Sequence, residues 1–135
     1  MTDTTTRPAA TTTDRSALFS ALIGLASLAV FFQSVWAGMM IREAKDYNQT
    51  WVNVHDWGAR AAFVLALLAT IVAVVKLRSR KDLLGGAATL TVLILAEAWL
   101  GGRIGGAPGV VAFHIPLAFA IFALAVWLPL RSRRG

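Results

Sequence analysis

The chain has no cysteine, so disulfides, iron–sulfur clusters and thiol chemistry are excluded. It has only two histidines, His55 and His114, and only seven acidic residues in 135. Its long apolar runs lack the polar stripe that a helix of a soluble bundle shows to water. No cleavable signal peptide is evident, because the first apolar run is too long and no small-x-small site follows it. The net charge of +6 is not a nucleic-acid footprint. The lysines and arginines sit at the ends of the apolar runs, and no nucleic-acid partner is expected.

Apolar residues make up 57% of the chain. They fall into four blocks of about 20 residues, each long enough for a helix to cross a ~30 Å hydrocarbon core. The fold class expected is all-α, an integral membrane up-down four-helix bundle. Residues 1–16, Thr-rich and without an apolar period, read as a disordered cytoplasmic tail. The transmembrane domain covers 17–130, with helices about 17–41, 54–76, 83–102 and 109–130. Residues 131–135 form a basic tail.

Lysine and arginine counts set the orientation. The loop between the second and third helices carries Lys76, Arg78, Arg80 and Lys81. The C-terminal tail carries Arg131, Arg133 and Arg134, and the N-terminal tail Arg7 and Arg15. The opposite side has Arg42, Lys45 and Arg103, partly offset by Glu43 and Asp46. Both termini are therefore expected in the cytoplasm, and the protein in a bacterial cytoplasmic membrane.

The chain also repeats itself. After His55 comes "DWGARAAFVLALLA" and after His114 "IPLAFAIFALAVWL", with alanine, phenylalanine and leucine recurring at the same offsets. In the preceding helices, Gln33 stands five residues before Gly38 and Glu97 five before Gly102, with Trp36 and Trp99 between. Each helix pair thus has a polar residue, a tryptophan, a glycine, a loop and a histidine. Two pairs in parallel repetition make an up-down bundle whose second and fourth helices run the same way. At ~1.5 Å per residue, His55 and His114 then lie roughly 31 and 26 Å from the inner boundary, both in the outer leaflet.

Ionisable side chains inside a membrane are costly and point to function. Two imidazoles at similar depth on parallel helices suit axial ligation of a haem iron. Arg42, Arg103 and Arg60 are candidates for the propionates, and Gln33 for a hydrogen bond across the bundle or to a histidine's other ring nitrogen. Gly58, Ala59, Ala61, Ala62, Ala118 and Ala120 would leave room for a flat macrocycle. Two other readings stay open. The histidines can be interfacial residues bonded to backbone, headgroup or water. They can also hold a small ion such as Zn²⁺, with Asp56 and Glu97 as further ligands. Arg60 and Glu97 fall at one depth, about 24 Å from the inner boundary, and are expected to form a buried ion pair. Trp36, Trp51, Trp57 and Trp99 read as an outer aromatic belt, with Trp127 in the inner one.

The layout of Gln33-x4-Gly38, His55, a glycine-ended third helix and "PGVVAFHIPLAFAIFAL" resembles one four-helix half of haem A synthase. It also resembles small uncharacterised four-helix bacterial membrane proteins. The resemblance covers residues 17–130. It implies that His55 and His114 are axial ligands of haem near the outer face. The catalytic half of haem A synthase has Glu-x-x-His-Arg at the second helix, where this chain has Val52-x-x-His55-Asp56. The resemblance therefore implies a haem b site without hydroxylation of a haem methyl. The function expected is electron transfer or haem handling, with lipid and a respiratory membrane partner or a second copy as partners. The alternatives are a membrane subunit or assembly factor without cofactor, and a haem A synthase-like enzyme acting as a dimer of four-helix units.

Overall fold

In a medium without water, every backbone N–H and C=O must be satisfied within its own segment, and a helix does this. The computed structural model describes residues 12–42 and 46–134. Its helices are α1 (Thr12–Met40), α2 (Gln49–Lys76), α3 (Lys81–Gly101) and α4 (Val111–Ser132). All four contain stretches long and apolar enough to cross a membrane. A two-residue hairpin, β1 (Ile41–Arg42) against β2 (Asp46–Tyr47), joins α1 to α2. A 3₁₀ turn at Pro108–Val110 leads into α4.

Two boundaries differ from the sequence reading. α1 starts at Thr12, so the end of the expected disordered tail is helical. Residues 1–11 of that tail lie outside the described residues. α2 starts at Gln49 rather than near 54 because Asn48 caps it, its side-chain oxygen accepting from the Thr50 N–H at 3.1 Å. His55 is thus nearly two turns inside its helix, not at the mouth.

Each helix packs on its sequence neighbours, and α1 closes the ring against α4. α2 and α4, which carry the histidines, therefore stand diagonally across the bundle. The buried core lies towards the end rich in lysine and arginine. It comprises Phe19 and Ile23 of α1, Ala62, Ala66, Ala69 and Ala73 of α2, Leu83, Ala87, Leu90 and Ile94 of α3, and Ile121, Ala125 and Leu128 of α4. The four alanines of α2 recur at spacings of three and four, so they share one face and let the neighbouring backbones come close.

Hydroxyls tie this end together. Thr70 and Thr91 bond across α2 and α3 at 3.0 Å, and Ser20 and Ser132 across α1 and α4 at 2.8 Å. Ser27 also donates to the Ala125 carbonyl. At the helix ends Asp82 pairs with Arg80 at 3.2 Å and with Arg131 at 2.8 Å, joining the start of α3 to the end of α4.

The other end is open. From Val30 to Ala61 only Gly58 is buried among the residues whose side chains are described, and from Leu95 to Ala120 none is. Phe113 and Phe119 are 71% and 72% exposed and face outward, where lipid would meet them. Pro116 loosens α4 further, because it has no N–H to give the Ala112 carbonyl one turn back.

Candidate functional site at the histidine end

Each histidine has a polar side chain of the preceding helix close to its Nδ1. On the α1–α2 side, Gln33 lies 2.9 Å from His55 Nδ1. Its amide is oriented by the α2 backbone. The His55 carbonyl can only accept and the Ala59 N–H can only donate, so the amide nitrogen faces His55 and its oxygen faces Ala59, each at 3.0 Å. The nitrogen that faces the His55 carbonyl also faces Nδ1, so Nδ1 accepts and the ring proton resides on Nε2. Gly58 makes this contact feasible. A Cβ there would run into Trp36 and Gln33, so only glycine lets α1 come this close.

On the α3–α4 side, Glu97 Oε1 lies 3.1 Å from His114 Nδ1. The two side chains are only 15% and 19% exposed. The atoms touch but are not aligned as a hydrogen bond, and both Glu97 oxygens and His114 Nδ1 are solvent-excluded without another partner. The His114 ring lies flush on Gly101, with Cε1 only 3.2 Å from where a Cβ would be. Gly101 is one turn past Glu97 and so on the same face of α3.

The glycines of the apparent repeat are not these. A Cβ on Gly38 would meet nothing within 4 Å, and one on Gly102 only the backbone of its own helix. The close-packed glycines are Gly58 and Gly101. The i, i+4 relation of Glu97 and Gly101 was the signal available for the latter.

The expected Arg60–Glu97 pair is not formed. Arg60 pairs with Asp56 at 2.9 Å and lies 5.2 Å over the Trp57 ring. These side chains are 64% and 57% exposed, on the outside of the bundle. Helical side chains lean towards their own N-terminus, so Arg60 reaches back one turn to Asp56, while Glu97 faces α4. Arg60 is therefore not an interior propionate contact. Arg103 is exposed and stacks 4.0 Å over Trp99. The side chain of Arg42 lies outside the described residues.

Ala61, Ala118 and Ala120 are exposed, so they do not line the interior as expected, whereas Gly58 and Ala62 are buried. Trp57 and Trp99 are exposed as belt residues would be, but Trp36 is half-buried, packed on Gly58 and stacked on Phe32. Among the described residues no three histidine, cysteine, aspartate or glutamate side chains gather as a metal site, and Asp56 is engaged by Arg60. This removes the Zn²⁺ arrangement with Asp56 and Glu97 as added ligands.

The residues fit haem ligation unequally. His114 fits the better of the two, with a carboxylate 3.1 Å from Nδ1, the group that commonly backs a metal-bound imidazole. His55 fits once the Gln33 amide turns over to accept from Nδ1–H. Comparison with known protein families, with curated proteins and with solved structures finds no match in any of the three.

Proposed function

We propose that the protein binds a b-type haem in a bacterial cytoplasmic membrane through His55 and His114, and serves electron transfer or haem handling. The observation that carries this reading is the paired backing of the two histidines. Each sits on one of two diagonally opposed helices, and each has a polar side chain of the preceding helix beside its Nδ1. A carboxylate beside Nδ1, as Glu97 is at His114, is a common neighbour of an imidazole whose Nε2 binds a metal.

A bound haem would supply one-electron redox chemistry. Gln33 and Glu97 would orient the ligands, and the Glu97 carboxylate would offset the positive charge of ferric iron. Arg103 remains the exposed cation nearest the end of α3 for a propionate. The basic residues at the opposite end support a topology with both termini in the cytoplasm and the histidines towards the outer face. The two polar–histidine pairs also support two repeated helix pairs in an up-down bundle.

One observation favours a second reading, a membrane subunit without cofactor. Gln33 already satisfies His55 and two backbone groups of α2, so His55 needs no metal to be stable where it is. The absorption spectrum of protein purified from haem-replete cells decides between them. Haem ligation predicts a Soret band and a sharp reduced α-band, the latter lost in His55→Ala and in His114→Ala. A colourless, folded protein would overturn it.

A further inference from the structure

A groove of about 370 Å³ runs along the outside of the bundle between α1 and α4, away from the histidines. Gly24, Leu28 and Phe31 line it from α1, and Phe122, Val126 and Arg133 from α4. It is deepened at Gly24, where a Cβ would meet nothing within 4 Å. Its one polar group on the α1 wall, the Ser27 hydroxyl, is already engaged. Pro129 has no N–H to give the Ala125 carbonyl one turn back, and Ser27 donates to that carbonyl instead.

The groove is apolar along its length and cationic at one end. Phe31 and Phe122 close the far end, with ring centroids 6.1 Å apart. Arg133, the residue that ends α4, stands at the other. From Phe122 to Arg133 the helix rises about 16 Å at ~1.5 Å per residue. Arg131 is held by Asp82 at 2.8 Å, whereas Arg133 pairs with no carboxylate among the described residues. An apolar trough left empty forfeits dispersion contacts along its walls, and a hydrocarbon chain restores them. A guanidinium at the end of such a trough adds a demand for an anion.

We propose that this groove is a site for one anionic phospholipid, with an acyl chain lying along Gly24 and Val126 and the headgroup phosphate on Arg133. The proposal goes beyond the haem reading and does not rest on it. The acyl chain fills the space that Gly24 leaves open, and the guanidinium can meet two phosphate oxygens at once. Arg134 follows Arg133 and is also exposed, so the surroundings of the headgroup are cationic. A zwitterionic lipid would bring its own ammonium group to those arginines, so the site selects its headgroup by charge.

The test uses the full chain in detergent with an equimolar mixture of phosphatidylglycerol and phosphatidylcholine of the same acyl chains. Bound lipid is counted by native mass spectrometry. One phosphatidylglycerol per chain is expected, retained about fivefold over phosphatidylcholine, the worth of one arginine at a membrane surface. Arg133→Gln is expected to abolish that preference, whereas Arg134→Gln, which removes the same charge outside the groove lining, keeps it. Gly24→Leu puts a side chain into the groove and is expected to lower retention of both lipids several-fold. It displaces no protein atom, so the variant folds, which its helical circular dichroism checks. Equal losses in Arg133→Gln and Arg134→Gln would overturn the inference, as would equal retention of the two lipids by wild type or unchanged retention in Gly24→Leu. So would a lipid-free dimer that Gly24→Leu dissociates, because the groove would then hold a second copy of the chain.

Discussion

The two ends of the bundle are built on different terms. At the basic end the helices meet through alanines and are tied by Thr70–Thr91, Ser20–Ser132 and the Asp82 pairs. At the histidine end the helices carry exposed aromatics, and the contacts are two polar pairs, each resting on a glycine. In lipid the hydrophobic effect does not drive helices together, so close van der Waals fit and interhelical hydrogen bonds must do it. The basic end has both and holds the bundle. The histidine end is free to carry costly polar groups.

That contrast can be broken most directly by truncating one large side chain at each end. Leu90→Ala removes a fully buried side chain and is expected to cost about 2–4 kcal/mol in reversible unfolding in detergent. Phe119→Ala at the open end should cost under about 0.5 kcal/mol, since the ring touches little protein. Equal losses at the two sites would remove the distinction between the ends.

Gly58→Ala is the exception at the open end. Its methyl group would run into Trp36 and Gln33, so a loss of about 1–3 kcal/mol is expected, read in the same unfolding assay. Gly38→Ala, with nothing within 4 Å, serves as the control and should be neutral or slightly stabilising. A smaller effect is expected from Thr70→Val. It breaks one interhelical hydroxyl bond, and its double-mutant cycle with Thr91→Val should give a coupling near ~0.6 kcal/mol.

The smallest effect concerns Arg60 and Glu97. Because they are not partners, a cycle of Arg60→Gln and Glu97→Gln should show coupling below about 0.3–0.5 kcal/mol. A coupling of several times that would restore the buried pair and sink the geometry described for α2 and α3.

The misreading of that pair shows where sequence reasoning stops. Residue counts give depth along a helix, and by that count Arg60 and Glu97 were expected at one level. Depth does not say which way each faces, and azimuth places Arg60 with Asp56 outside and Glu97 with His114 inside. Ala118 and Ala120 were misplaced for the same reason, because in a helix apolar all round no polar stripe marks the outer face. The start of α2 was missed because the Asn48 cap recruits polar residues that read as loop. Gln33 stood out in the sequence as a polar residue in an apolar run, but only the structure sets it beside His55.

By itself the sequence determined that the chain is all-helical and has four spans long and apolar enough to cross a membrane. The reason is that length and apolar composition alone decide whether a segment can cross lipid. It also determined which residues are chemically unusual, since charge or imidazole in such a segment is rare whatever the packing. Only the tertiary structure decided that Glu97 belongs to His114, that Gln33 sets the tautomer of His55, and that Gly58 and Gly101 are the glycines that matter. Those facts depend on the rotation of each helix about its axis, which is set by packing against its neighbours.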